Sequence, residues 1–329
     1  MGADDEPVPG LCAGLDLHAS DRETEAGHFL AAAPRHWAAV RDVGLLPGWR
    51  VLVTGRQAFG YLRWIADLVG RRGSVVVVMP GSSPADPHGP ALGPRLPCPV
   101  TLVHADGGPL PFPDDEFDAA WCAGILDTRG EEEVADLLVE VERVIRPQGI
   151  VAVRDSVPHL LTVRPGDPYL ITDFRRAAAA LLDCPQRLTL GQDVHLQLRH
   201  SGFTRLEQHV DLVEYYAPVP PSVRRYYQQA LAAVARQAAI VGMDERWHHL
   251  RGGDGPGHPL HAPNAYVSEG YVLASGVKAK NTSLGGHRSG RTDRSGLAAE
   301  GQRIGHDGGQ QHRDVPVATG GGGMEARGQ

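Results

Sequence analysis

Short apolar runs alternate with stretches of helical spacing between Arg50 and Asp155, and this alternation limits the fold more than any other feature. The runs "RVLVT", "SVVVVM", "VTLVHAD", "FDAAWCAGIL" and "IVAVRD" are typical of strands, and "SVVVVM" has the uninterrupted apolar character of a strand buried on both faces. "YLRWIADLVG" and "EVADLLVEVERVI" place apolar residues at helical spacing. Strands that alternate with helices predict an α/β fold with a mostly parallel sheet and helices on both faces.

The regions on either side of this segment differ from it in composition and pattern. Residues 1–45 contain a helical pattern that is interrupted at Pro34, and we expect an N-terminal helical segment there. The main domain is expected to span residues 46–280, with lid helices around residues 157–201 and a last strand at "AYVSEGYVLASGVKA". Residues 281–329 contain no Phe, Tyr or Trp, so we predict a disordered C-terminal tail.

The composition narrows the classes of function. A formal net charge of −7 does not supply the basic face that nucleic-acid binding needs, and no apolar run approaches the length of a membrane span. The acidic N-terminus lacks the pattern of a signal peptide, so a cytoplasmic location is expected. The four cysteines are scattered without a CxxC pair, and His248, His249, His258 and His261 lie in a loop rich in Pro and Gly. We therefore expect neither a disulfide framework nor a metal site.

The stretch "VLVTGRQAFG" (residues 51–60) predicts a strand, a glycine turn and the start of a helix. Gly55 permits the tight turn, and a helix N-terminus at this place can meet the charged or polar edge of a ligand. Positions 56–59 carry Arg, Gln, Ala and Phe, where sites of close backbone approach usually have Gly. Taken alone, the stretch fits two interpretations equally well. It is either a nucleotide-binding turn that has lost its glycines or a turn that never bound a nucleotide.

A nicotinamide-dependent oxidoreductase is one alternative, because "VTGRQAFG" is superficially similar to a TGxxxGxG turn. The glycine spacing differs, however, and no acidic residue follows the second predicted strand. A Tyr-xxx-Lys catalytic pair is also impossible before Lys278, the first lysine of the chain. We therefore favour another class of protein.

Two phrases further along the chain carry the most specific signal, "HADGGPLPFPDDEFDAAWCAGILDT" and "EVERVIRPQGIVAVRD". In these phrases the chain resembles the class I S-adenosylmethionine-dependent methyltransferases, especially the small-molecule branch that includes quinone and arsenite methyltransferases. The resemblance covers residues 46–155 and continues more weakly through "LRHSGFTRLE" and the last predicted strand. It implies a Rossmann-like methyltransferase fold, S-adenosylmethionine as the cofactor, and methyl transfer to a small molecule.

The resemblance also implies which residues bind the cofactor. Asp106 stands where the family has the aspartate that contacts the adenine, and the "LPFP" wall that includes Phe112 offers a stiff apolar face to a flat base. We expect Asp106 and Phe112 at the carboxyl edge of the sheet, next to the Gly55 turn, because ligands collect there in open α/β sheets. The full expected set of cofactor-binding residues is Gly55, Gln57, Met79, Asp106, Gly107, Phe112 and Cys122.

Four positions depart from the family pattern. Val53 and Met79 stand where the family has acidic residues at the ends of the first and second strands, and the second of these acids binds the ribose. Gln57 and Phe59 replace two glycines, and Gly60 is the nearest substitute. We therefore expect weakened cofactor binding. The alternative function is a catalytically inactive pseudo-methyltransferase that acts as an interaction or ligand-binding protein.

The catalytic residues are not assigned from the sequence. Methyl transfer from a sulfonium mainly needs alignment of the acceptor with the methyl group, and a base is required only where the acceptor must first lose a proton. The candidate bases after the fifth predicted strand are Asp155, His159, Tyr169 and His195, and residues of these types are more often found on surfaces or lids.

Overall fold

The computed structural model describes residues 22–80, 96–105, 108–126, 129–181, 191–251, 255 and 257–280. The predicted tail, residues 281–329, lies outside this part of the chain, as do Asp106 and Gly107. The helices and strands follow in the order α1 (Arg22–Ala31), α2 (Ala33–Asp42), β1 (Arg50–Thr54), α3 (Ala58–Val69), β2 (Ser74–Pro80), β3 (Val100–Ala105), β4 (Phe117–Ala123), α4 (Glu131–Val144), β5 (Ile145–Arg164), α5 (Leu170–Leu181), α6 (Val194–His200), β6 (Phe203–Tyr216), α7 (Pro221–Ile240), α8 (Asp244–Trp247) and β7 (Tyr266–Lys278). Among these elements, no helix combines the length and the apolar content that crossing a membrane requires.

The seven described strands form one sheet in the order β3-β2-β1-β4-β5-β7-β6. The strands from β3 to β5 in this order are parallel, whereas β7 is antiparallel to both of its neighbours. Val51, Leu52 and Val53 of β1 are completely buried, because helices cover both faces of the sheet. The predicted α/β class, with a mostly parallel sheet between layers of helices, is confirmed.

Each face of the sheet packs into its own apolar core. On one face, Val53, Trp121 and Ala152 pack with residues of α2 and α3. On the other face, Cys122 and Val153 pack with residues of α4 and α6. Successive side chains of a strand point to opposite faces, so the neighbours Trp121 and Cys122 belong to different cores.

Strand β5 is much longer than β4 and continues past the carboxyl end of that strand. β4 ends at Ala123, which lies opposite Arg154, whereas β5 continues beside β7 as far as Arg164. Leu161 and Val163 lie on one face of this extension and pack into a third core with α5, α7 and α8. The lid helices expected from residue 157 therefore begin only at α5, because residues 157–164 bury their apolar side chains as a strand.

The N-terminal helices pack onto the sheet domain. The helical conformation is interrupted at Ala32, between α1 and α2. Pro34 lies in the first turn of α2, where a proline is tolerated. The ring of Phe29 in α1 meets that of Tyr61 in α3 edge to face, with 5.1 Å between their centroids. Helices α1 and α2 thus extend the layer that α3 forms on one face of the sheet.

Candidate functional site

The turn after β1 lies at the carboxyl edge of the sheet, where the strand order changes direction between β1 and β4. Gly55 in this turn has a φ of +103°, and a Cβ atom there would lie 2.1 Å from the carbonyl oxygen of Ala123 at the end of β4. The glycine is therefore required because the chain's own backbone approaches it closely. The sequence pattern alone does not distinguish this role from the approach of a ligand.

Two backbone amides of the same turn are also bonded to the end of β4. The amide of Gln57 donates to the carbonyl of Ala123 at 3.0 Å, and the amide of Arg56 donates to the carbonyl of Gly124 at 3.3 Å. The Cγ atom of Gln57 lies 3.2 Å from the place that a Cβ of Gly124 would take, so the glutamine covers this glycine. The amides that open α3 are thus engaged within the protein.

Three other positions of the expected site lie in packed surroundings. Met79, near the end of β2, is paired with His104 of β3 and packs on the core next to α3. Gly60 faces Phe29, since a Cβ there would lie 2.6 Å from the phenyl ring. Cys122 is completely buried in the core beneath α4, and burial raises the pKa of its thiol to about 12. Cys122 is therefore a neutral core residue.

The structure contradicts the expected position of Phe112. Its ring meets that of Phe117, the first residue of β4, with 5.0 Å between the centroids. The guanidinium of Arg143, in the last turn of α4, donates to the carbonyl oxygens of Leu110 (2.9 Å) and Phe112 (2.8 Å). Because these contacts lie at the start of β4 and the end of α4, the "LPFP" segment is held near the amino edge of the sheet. The expectation that Phe112 stands beside Gly55 is therefore wrong.

The comparison with known families adds an independent observation. Residues 63–153, from within α3 to β5, match a family model described as a methyltransferase domain. Residues 63–153 are therefore similar to a methyltransferase domain. The mostly parallel sheet of the chain matches the Rossmann-like methyltransferase fold that the sequence predicts.

Solved structures that are similar to this chain share little sequence with it. They include a SAM-dependent methyltransferase from Aquifex aeolicus (21% identity over 53% of this chain and 80% of that chain, TM-score 0.38). The YcgJ protein from Bacillus subtilis (14% identity, 75% and 99%, TM-score 0.43) and an arsenic(III) S-adenosylmethionine methyltransferase from Chlamydomonas reinhardtii (16% identity, 84% and 76%, TM-score 0.37) are also similar. No curated protein matches the chain.

The described residues at this edge of the sheet fit S-adenosylmethionine only in part. The amides of Arg56 and Gln57 are bonded to β4, and Met79 offers a thioether where a carboxylate would accept hydrogen bonds from a ribose. Asp106 and Gly107, which the resemblance assigns to the adenine side, follow the end of β3 and lie outside the described residues. Their role as cofactor ligands stays a prediction.

Among the four candidate bases that the sequence offers, Asp155 has a structural role. Its carboxylate is fully buried and accepts hydrogen bonds from the backbone amides of residues 125 and 126, at 2.7 and 2.8 Å. These bonds fix the segment that follows β4. His159 is half-buried, and burial lowers its pKa. Tyr169 is 68% exposed, and the backbone amide of His195 donates to a side chain of β6.

The sequence analysis missed a group of polar residues that is buried between the sheet and helices α1, α2, α3 and α7. We call it the tyrosine–histidine cluster, and its members are His28, His36, Tyr61, Arg154, Tyr227, Glu269 and Tyr271. The carboxylate of Glu269 accepts hydrogen bonds from the hydroxyls of Tyr227 (2.6 Å) and Tyr271 (3.0 Å), and His28 Nε2 lies 3.3 Å from the same oxygen. Burial raises the pKa of Glu269, but the bonds from His28 and the two tyrosines outweigh burial and lower it.

A sequence signal for this cluster existed. Arg154 directly follows the apolar run of residues 150–153, and Glu269 lies in the last predicted strand; a charged residue in a buried strand rarely lacks a partner. The partners of Arg154 come from β6 and β7, and those of Glu269 come from α1, α7 and its own strand. Most of these residues lie far away along the chain, so no local pattern identifies them.

Proposed function

We propose that this protein binds S-adenosylmethionine at the carboxyl edge of its sheet and transfers the methyl group to a small molecule. The observation that carries the proposal is the match of residues 63–153 to a methyltransferase domain, since this segment includes β2 to β4 and the loop with Asp106. When bound, the cofactor supplies a methyl group on a positively charged sulfur. A small-molecule acceptor is supported by the resemblance of "LPFPDDEFD" to that branch of the family.

We further propose that Met79 makes cofactor binding weak. A carboxylate at this position would accept two hydrogen bonds from a ribose diol, and a charge-assisted bond contributes about 1.5–3 kcal/mol. Loss of both bonds is expected to weaken binding by about a hundred- to ten-thousandfold, at about 1.4 kcal/mol for each factor of ten.

Calorimetric titration with S-adenosylmethionine and S-adenosylhomocysteine tests both statements. We expect weak binding by the natural protein and binding that is up to about a hundred- to ten-thousandfold tighter in Met79→Asp. Met79→Leu is the matched control, because it keeps an apolar side chain of similar size, and it should bind as weakly as the natural protein. Gln57→Gly should tighten binding further by easing the approach to the turn.

The engaged amides of Arg56 and Gln57 favour a second candidate function, a pseudo-methyltransferase that binds another ligand or a partner. This candidate predicts that neither the natural protein nor Met79→Asp and Gln57→Gly binds S-adenosylhomocysteine. Such a result would remove the proposal of methyl transfer and leave the second candidate.

A further inference from the structure

We propose that Arg154 forms a buried binding site for the carboxylate group of a small molecule, next to the carboxyl end of β4. The site requires no methyl transfer, so it would serve an active enzyme and a pseudo-methyltransferase alike. Its elements are the guanidinium of Arg154, the imidazole of His36 and the aromatic rings of Trp121, Tyr61 and Tyr271.

The strand register brings these groups to one face of the sheet. Arg154 lies beside Ala123 of β4, and two residues along the strand Ser156 lies opposite Tyr271 of β7. Trp121 points to the same face, because it is two residues before Ala123. Helices α2 and α3 cover this face and contribute His36 and Tyr61. Arg154 and His36 are both completely buried.

The guanidinium of Arg154 is only half used. Its Nη1 atom donates to the carboxylate of Asp211 at 2.9 Å and to the carbonyl of Tyr271 at 3.3 Å. Its Nε and Nη2 atoms are buried and do not reach hydrogen-bond geometry with any partner in the described part of the chain. The hydroxyl of Tyr61 is a close polar neighbour of the guanidinium, because Arg154 lowers the pKa of this tyrosine against the larger effect of burial, which raises it. The Nε and Nη2 atoms form one edge of the planar guanidinium, and such an edge binds the two oxygens of a carboxylate in parallel. Buried donors of a charged group are rarely left without an acceptor.

His36, which contacts the same Tyr271 ring as Arg154, offers a further polar atom. Its Nδ1 atom lies 3.2 Å from the hydroxyl of Tyr61, and its Nε2 atom has no partner among the described residues. Burial, with a smaller contribution from the Arg154 charge, lowers the pKa of His36 well below its usual value, so the ring is neutral. In the tautomer in which the Tyr61 hydroxyl donates to Nδ1, the hydrogen of the neutral ring sits on Nε2 and is available to an acceptor, and this is the tautomer that the proposed site requires.

Both donors lie against the ring of Tyr271. The Arg154 guanidinium carbon is 5.1 Å from the centre of this ring, and the imidazole of His36 meets the ring edge to face at 4.9 Å. Tyr61 bonds to His36 and lies 5.0 Å from Trp121, whose Nε1 atom also lacks a partner in the described residues. The surroundings of the donors are thus aromatic, and they favour an acid with a flat, apolar body.

The charges near the site leave Arg154 available. Glu269, on the same face, is already bonded to Tyr227, Tyr271 and His28. Asp211 is partly exposed and binds Arg154 through Nη1 alone. A ligand carboxylate on the Nε–Nη2 edge would therefore use donors that these two acids do not.

Calorimetric titration with benzoate tests the site, and benzamide, which has the same shape without the charge, is the ligand control. We expect benzoate to bind at least about tenfold more tightly than benzamide. Arg154→Lys keeps the charge beside Asp211 but removes the two-pronged edge, and it should weaken benzoate binding at least about tenfold. Arg63→Lys, at an exposed pair with Asp67 on α3, is the control variant and should bind benzoate unchanged.

A second variant keeps the test decisive if Arg154→Lys fails to fold. His36→Leu removes only the third donor, and it should weaken benzoate binding about two- to tenfold. If the natural protein binds benzoate no better than benzamide, or if the folded variants bind it as well as the natural protein does, the proposed site is wrong. Buried water would then satisfy the Arg154 edge.

The amino-acid end of S-adenosylhomocysteine also carries a carboxylate, so this compound is titrated in parallel. If Arg154→Lys weakens its binding and benzoate competes with it, the Arg154 edge holds that end of the cofactor. If its binding is unchanged while benzoate binding is lost, the edge holds a separate acid. Absence of benzoate binding alongside intact S-adenosylhomocysteine binding would overturn the carboxylate site alone and leave the proposed methyl transfer standing.

Discussion

Substitution of Gly55 by alanine tests whether the turn after β1 is filled by the protein's own backbone. A φ of +103° is unfavourable for alanine and is expected to cost about 1–2 kcal/mol. The added Cβ would lie 2.1 Å from the carbonyl oxygen of Ala123, and relief of such an overlap costs about 1–3 kcal/mol more. We therefore expect Gly55→Ala to lower the free energy of unfolding by about 2–5 kcal/mol in all.

Gly44→Ala separates the two contributions. Gly44 has a φ of +76°, but a Cβ there would meet no described atom within 4 Å. It should therefore cost only the backbone part, about 1–2 kcal/mol. Urea unfolding of both variants, followed by circular dichroism, measures the difference. Equal losses in the two variants would refute the close approach of β4 to the turn.

Three further predictions concern stability. Arg143→Leu should lower the free energy of unfolding by about 1–3 kcal/mol, because two backbone carbonyls lose their donor. Arg63→Leu, the control at an exposed ion pair, should change the free energy of unfolding by less than about 0.5 kcal/mol. Urea unfolding of the two variants measures the difference. The pKa of His36 is lowered on folding, so the folded chain binds fewer protons than the unfolded chain below about pH 6.5. The free energy of unfolding should therefore decrease by up to about 1.4 kcal/mol for each pH unit as the pH falls. His36→Gln should make the decrease shallower in unfolding experiments between about pH 6.5 and 5, and an unchanged slope would contradict the assignment. Deletion of residues 281–329 should shift the melting temperature by no more than about two degrees, because a segment without aromatic residues contributes little to a core. A melting temperature lower by many degrees would contradict the prediction that this segment is a disordered tail.

The sheet was predictable because its signal is local. β1 and β2 are runs of Val and Leu that are buried on both faces, and such runs have few other stable conformations. The extension of β5 was missed because Val157 to Arg164 contains His159 and polar neighbours that obscure the alternation. The strand there is stabilised by pairing with β7, more than a hundred residues later in the chain, which no local pattern reveals.

The candidate site was less predictable, because its geometry depends on contacts between distant residues. Phe112 stands in a phrase that resembles a cofactor-binding loop, yet the bonds from Arg143 draw this phrase towards the amino edge of the sheet. The sequence predicts the tight turn at Gly55. It does not predict that the carbonyl of Ala123 approaches this turn, because Ala123 lies on a strand nearly seventy residues later in the chain. The unpaired Nε–Nη2 edge of Arg154 depends on side-chain rotamers and on groups from five separate elements, which a sequence does not specify.

The position of β7 sets the time at which the sheet can be completed during synthesis. β7 is the last described strand in the chain, yet it lies between β5 and β6 and pairs with both of them. The ribosome releases β5 and β6 first, and each of them then exposes a strand edge without a neighbour. We therefore expect the nascent chain to be most prone to aggregation after Tyr216 has emerged from the ribosome and before Lys278 has emerged. This period ends when β7 inserts between β5 and β6 and pairs with both of them.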